Sequence, residues 1–198
     1  MRKKTYSKEW LTVEEWDRLS GSVKEQKHNT MLSLLYGCAL RVSELCSLRV
    51  RDIDPVSSRL IIRKSKRSKD PVIIPIPKSV LEKIRLYVQT YSLQPDNYLI
   101  FTRNKNSLKP VHRKTIYRRI KHLATKAEIE KPITCHTFRR SRATHLLDAG
   151  LPLERVSQLL RHSKIGLTQI YLKLAPAKLQ EELRKVDPLE KTDDKDYS

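Results

Sequence analysis

The sequence predicts a mainly α domain of the α+β class, helical through most of its length, with one small antiparallel β-hairpin. Three observations carry this expectation. Apolar residues recur at helical spacing before residue 59 and again after residue 78. Between them the period changes, and RLIIRKSKRSKDPVIIPIP gives two β-rich runs about a basic turn. At 198 residues the chain is long enough for one substantial domain.

Residues 1–9 form a basic arm, expected to be mobile. Thr12 and Glu15 make a capping box ahead of Trp16 and Leu19, which starts the first helix. Met31, Leu32, Leu34, Leu35, Cys38 and Ala39 give a second helix a wide apolar face. The next segment, ALRVSELCSLRVRDID, carries Leu40, Leu45 and Leu48 at helical spacing and is expected to run to Asp54-Pro55. Arg41 stands where one helix breaks and the next begins. In the hairpin, residues 60–63 pair with 72–76, and Pro71, Pro75 and Pro77 confine the second strand to an edge. A helix over 79–91 follows, then a short extended piece at 98–101. A helix from about 113 to 127 places Ile116, Ile120 and Leu123 on one side and several cations on the other.

The stretch TCHTFRRSRATHLLDAGLPLERVSQLLRHSKIGLTQIY, residues 134–171, reads as three short helices. Thr134 or Thr137 caps the first, and Gly150 suits its left-handed stop. On that helix His136 and Arg139 share a face, while Phe138, Leu146 and Leu147 point inward. Pro152 fits the first turn of the second helix, which ends near His162 and Ser163. Gly166 and Thr168 open the third, which carries Tyr171 nine residues after His162 and stops at Pro176. Residues 177–186 give one more amphipathic helix through Leu179, Leu183 and Val186, and residues 187–198 an acidic tail expected to be disordered.

The formal net charge is +19 and the pI about 10. So large an excess of cations favours a polyanionic partner, because neutralising phosphates releases their counterions. Five of the seven residues from 63 to 69 are cations, among them Lys64, Lys66, Arg67 and Lys69. From 97 to 127 there is no acid, yet Arg103, Lys105, Lys109, Arg113, Lys114, Arg118, Arg119, Lys121 and Lys126 are basic. A one-sign face of that length reads as a surface for a DNA backbone, with Arg140 and Arg161 adding to it. Cys38, Cys46 and Cys135 form no Cys-x-x-Cys pair, which argues against a disulfide framework or zinc site and suits a reducing cytoplasm. With four glycines in all, no Gly-rich phosphate loop exists and no nucleotide should be needed. No apolar stretch approaches the roughly 20 residues that span a bilayer.

From about Trp10 to Val186 the chain resembles the catalytic domain of the tyrosine recombinases, or phage-type integrases. ALRVSEL matches the family's arginine box, giving Arg41 and Glu44. HTFRRSRATHLL matches its His-x-x-Arg box, giving His136 and Arg139. LLRHSKIGLTQIY matches the last box, giving His162 and Tyr171 at the family's spacing. The family's lysine lies in the turn between the second and third strands of a small sheet. Aligning the strands favours Lys66, with Lys64 and Lys69 open. Each box alone is common, but all of them in order on a basic chain are not. Three positions depart from the pattern: Ala39 where glycine is frequent, Arg140 where histidine is frequent, and Arg161 where glycine precedes the histidine. The family's N-terminal DNA-clamping domain is not in this sequence, and Met1 with the acidic tail favours a natural short protein over a fragment.

The resemblance implies a mainly helical catalytic domain with a three-stranded antiparallel sheet, acting on double-stranded DNA at inverted-repeat sites as a homo-oligomer, a tetramer in the synapse. It implies Tyr171 as nucleophile, Arg41, Arg139 and His162 on the phosphate, His136 as base, the turn lysine as acid and Glu44 as an orienter. Guanidiniums would take the place of metal ions, so neither metal nor other cofactor is expected. Residues 177–186 would dock on a neighbouring protomer. The setting is cytoplasmic, without a membrane, and the class includes proteins of mobile elements. Singly the residues have plainer readings: Arg41 as a surface partner of Glu44, His136 as a structural histidine, His162 as a helix C-terminal cation, Tyr171 as a half-buried aromatic. A type IB topoisomerase and a non-catalytic DNA-binding regulator are the competing functions.

Overall fold

The computed structural model describes residues 10–63, 71–104 and 107–161. Seven α-helices occur among them, α1 (Val13–Gly21), α2 (Gln26–Gly37), α3 (Val42–Ser47), α4 (Lys78–Thr90), α5 (Arg113–Lys126), α6 (Cys135–Asp148) and α7 (Leu153–Leu160). A three-stranded antiparallel sheet is built from β1 (Ile53–Asp54), β2 (Arg59–Ile62) and β3 (Val72–Pro75), in that order. A second hairpin joins β4 (Phe101–Asn104) to β5 (Ser107–Pro110). The chain divides into two compact units, Met1–Arg142 and Ala143–Ser198. Among the described residues no helix is long and apolar enough to cross a membrane.

In the first unit α1 starts where the chain's own polar groups stop it from fraying. Thr12 Oγ1 accepts from the Glu15 N–H at 3.2 Å, and Glu15 accepts in return from the Thr12 N–H at 2.7 Å. Lys131 Nζ adds a third contact, 2.5 Å from Glu15 Oε2. The α2 face of Leu32, Leu34 and Leu35 is fully buried, as is Leu45 of α3. Burying each such leucine is worth roughly 1.5–3 kcal/mol. α2 and α4 approach closely at Gly37, where an added Cβ would lie 2.7 Å from Val80 Cγ2. Glycine is needed there for space. The β2–β3 register pairs Leu60 with Ile74, both buried, and leaves β3 on an edge as its prolines require.

Two elements differ from the sequence expectation. The helix after Arg41 ends at Ser47 and does not reach Asp54. Leu48 turns to extended geometry, its carbonyl accepts from the Leu99 N–H at 2.8 Å, and the Val50 N–H donates to Asn97 at 3.0 Å. A distant segment therefore takes the backbone bonds that a longer helix would have used, and residues 50–54 become a 3₁₀ turn and β1. The β4–β5 hairpin was expected only as an extended piece at 98–101. Beyond Phe101 and Leu108 its described residues are exposed, so no apolar alternation marks it.

In the second unit, α6 ends on Gly150 at φ 89°, with the Leu151 N–H donating to Leu146 and the Gly150 N–H to Leu147. Leu146 and Leu147 are half-buried. Pro152 is the N-cap of α7, one residue ahead of the expected place, and the helix stops at Leu160 because Arg161 takes left-handed geometry. The arm over 1–9, the third helix of the 134–171 stretch, residues 177–186 and the acidic tail lie outside the described residues.

Candidate active site

Arg41 and Arg139 are 98 positions apart in the sequence, and a single backbone turn links them. α2 ends at Gly37; the Ala39 N–H donates to the Tyr36 carbonyl at 3.2 Å, and Ala39 adopts φ 47°. That left-handed residue turns its carbonyl onto Arg139, whose Nη1 donates to it. Two residues on, Arg41 is the N-cap of α3. Its backbone N–H and its Nη1 both donate to the Glu44 carboxylate, each at 2.7 Å. Glu44 is 4% exposed, so this is not a loose surface pair: one buried carboxylate holds both the backbone and the guanidinium of Arg41.

Arg139 is placed by α6. Thr134 Oγ1 accepts from the Thr137 N–H at 3.3 Å while Thr137 Oγ1 accepts from the Thr134 N–H at 3.0 Å, a reciprocal cap that sets the start of the helix. One turn along, Ser141 Oγ donates to the Thr137 carbonyl and accepts from the Leu11 N–H, both at 2.8 Å. Phe138 is fully buried and meets Trp16 edge-on at 6.1 Å; Trp16 in turn stacks on Tyr36 at 3.9 Å. These contacts lock the helix against α1 and α2. Arg139 therefore lies 5% exposed beneath the surface, with His136, three residues earlier, at the surface above it. Burial first, then the charges of Arg139, Arg140 and Arg41, hold the His136 imidazole below its ordinary pKa. At neutral pH it is an unprotonated ring, able to accept a proton, set among three guanidiniums that attract an oxyanion.

Arg103, Lys109, Arg113, Lys114, Arg118, Arg119, Lys121 and Arg140 are all exposed, and Arg161 is half-exposed. On α5 the buried side is Ile116, Ile120, Leu123 and Ala124, opposite Lys114, Arg118 and Lys121. Arg119 departs from that face and lies near Lys27 and His28 of α2. Lys64, Lys66, Arg67, Lys69, Lys105, His162 and Tyr171 lie outside the described residues. Sequence reasoning missed the Ala39 carbonyl as the tether of Arg139. The available signal was position 39 itself, where a residue common as glycine in the family marks a left-handed turn.

The profile of the Phage integrase family matches residues 9–178. The chain belongs to that family. The tyrosine recombinase XerA of Pyrococcus horikoshii is 35% identical over 182 residues, covering 91% of this chain and 62% of the relative. The crystal structure of a XerA recombinase superposes with a TM-score of 0.79 at 26% identity, over 95% of this chain and 67% of that one. The Tn1549 transposon integrase in complex with transposon right end DNA shares the fold at a TM-score of 0.72 and 21% identity, over 94% of this chain and 68% of that one. This phage integrase family chain thus spans less than two thirds of the length of its Pyrococcus relative. The helical fold with small antiparallel sheets is that of the family's catalytic domains.

Proposed function

We propose that this chain is a site-specific DNA recombinase that cuts and rejoins strands through a 3′-phosphotyrosyl intermediate. The observation that carries the reading is the Arg139–Ala39 tether. It brings the second arginine of the pattern beside the turn that launches the first, with His136 in the field of both. In this reading Arg41, Arg139 and His162 bind the non-bridging oxygens and the charge that grows on them. Tyr171 Oη attacks phosphorus, His136 takes the phenol proton, and the bond to the 5′-oxygen breaks as Lys66 supplies that oxygen with a proton. Glu44 orients Arg41. The ester keeps the energy of the broken bond, so a 5′-hydroxyl from another duplex reverses the step without nucleotide.

Residues 10–186 would act as the catalytic domain, with residues 1–9 as a DNA-binding arm. The partner would be duplex DNA at inverted repeats in the cytoplasm, engaged by a tetramer whose protomers dock through residues 177–186. The net charge of +19 and the acid-free stretch over 97–127 support a DNA partner, as does the DNA-bound Tn1549 integrase.

The test is adduct formation on nicked suicide duplexes with randomised arms, in excess EDTA and without nucleotide. A protein–DNA band that survives denaturation is expected. If magnesium were required, the arginine clamp would be wrong; if no adduct formed under either condition, the protein would be a DNA-binding regulator.

A further inference from the structure

A second cationic feature lies apart from the Arg41–Arg139 cluster. A cavity of about 190 Å³ opens between the first turn of α2, β4 and the middle of α5. Its floor is apolar, and its wall carries Lys27, His28 and Arg119 with the hydroxyl residues Thr102 and Thr115. No acid lines it. Lys27 Nζ stands 4.7 Å over the Phe101 ring, which seats the ammonium on the cavity floor. Nearby, Glu25 Oε2 is 2.7 Å from His28 Nδ1, and the same carboxylate also acts on Lys27. Burial is the main cause holding Lys27 below its ordinary pKa; Glu25 works against it and Arg119 with it.

Two cations thus converge from different elements on a part-buried space whose described lining supplies two hydroxyls and no negative charge. Like charges brought together repel, and an anion seated between them would relieve that repulsion. Water occupies about 30 Å³ per molecule in the liquid. The cavity therefore has room for a phosphate group with some of its hydration. Arg119 ties the cavity to α5, whose outward Lys114, Arg118 and Lys121 were read as a backbone-binding face. The neighbouring hairpin adds exposed Arg103 and Lys109 on the same run of chain.

We propose that Lys27 and Arg119, with Thr102 and Thr115, hold one phosphate of the DNA backbone at the flank of α5. This inference rests on the DNA-binding reading above. Lys27 is the new member: it lies outside the acid-free stretch and belongs to a segment of mixed charge, so nothing in the sequence singles it out.

The experiment measures the salt dependence of duplex binding by the full chain and by Lys27→Gln, Arg119→Gln and the double variant. Glutamine keeps most of each stem, and equal thermal midpoints would show that all four proteins fold. Each phosphate neutralised contributes about 0.9 to the log–log slope. Because both cations serve the same phosphate, the double variant should lose about one such increment, not two, and Lys27→Arg should restore the slope. A loss of two increments would assign the residues to separate phosphates, and no loss would remove the pocket from DNA binding; either overturns the proposal. Thermal melts with inorganic phosphate form the second arm. Stabilisation that vanishes in the double variant while the slope stays unchanged would assign the cavity to a free phosphoryl compound and overturn the DNA assignment. Adduct formation by the unaltered chain reports separately on the recombinase reading.

Discussion

Ala39 holds a left-handed backbone that costs an L-residue roughly 1–2 kcal/mol, and its carbonyl is the acceptor for a buried arginine. A β-branched side chain there would add strain and crowd a fully buried position. Ala39→Val should lower stability by about 2 kcal/mol and slow cleavage beyond the loss of folded protein. Ala39→Gly should keep the cleavage rate and a thermal midpoint at least as high. Equal behaviour of the two variants in melts and adduct assays would show that the turn does not position Arg139. Nearby, His136, the proposed base, can accept a proton only when neutral, and its depressed pKa keeps it so at neutral pH. The acid limb of the pH–rate profile should therefore lie below the ordinary histidine range. Removing the Arg140 charge relieves one cause of the depression, so Arg140→Gln should move that limb to higher pH. An unmoved limb would assign the titration to another group. The boxes holding Arg41, Glu44, His136 and Arg139 were legible because side chains carry letters. The Ala39 carbonyl was not, since any residue supplies one.

At the scale of elements, local signals foretold the starts of helices better than their ends. The Thr12–Glu15 box and the Thr134–Thr137 cap act within four residues, and both were readable. The early end of α3 was not, because the groups that end it arrive from residues 97–99. Helical spacing of Leu48 persisted in the sequence after tertiary bonds had taken the backbone elsewhere. Arg119 shows the same limit on a wheel: six cations between 113 and 126 cannot all share one face of a helix. The β2–β3 hairpin was legible from its change of period. At the end of β2, Arg63 Nε lies 2.5 Å from Asp52 Oδ1, and Asp52 Oδ2 also accepts from the Arg49 N–H at 2.9 Å. This buried carboxylate anchors the strand from which residues 64–70 continue. The proposed acid Lys66 belongs to that stretch. A 5′-phosphorothiolate leaving group needs no proton, so such a substrate should restore cleavage to Lys66→Ala. Rescue of Lys64→Ala or Lys69→Ala, and not of Lys66→Ala, would move the role along the turn.

For the whole molecule, the charge of +19 favours a polyanionic partner, and a DNA phosphate is the reacting centre proposed for the Arg41–Arg139 site. The first unit supplies Arg41, Arg139 and His136, held by a cap, a buried carboxylate and a backbone tether. The nucleophile proposed, Tyr171, rests on the last motif of the sequence. The most direct test replaces Tyr171 by phenylalanine and repeats the nicked-duplex assay, with trypsin digestion and mass spectrometry of any adduct formed by the unaltered chain. The account predicts that Tyr171→Phe binds duplex DNA with unchanged affinity but gives no band on a denaturing gel, and that the adducted peptide contains Tyr171. An adduct that persists in Tyr171→Phe, or one that maps to another residue, would contradict it.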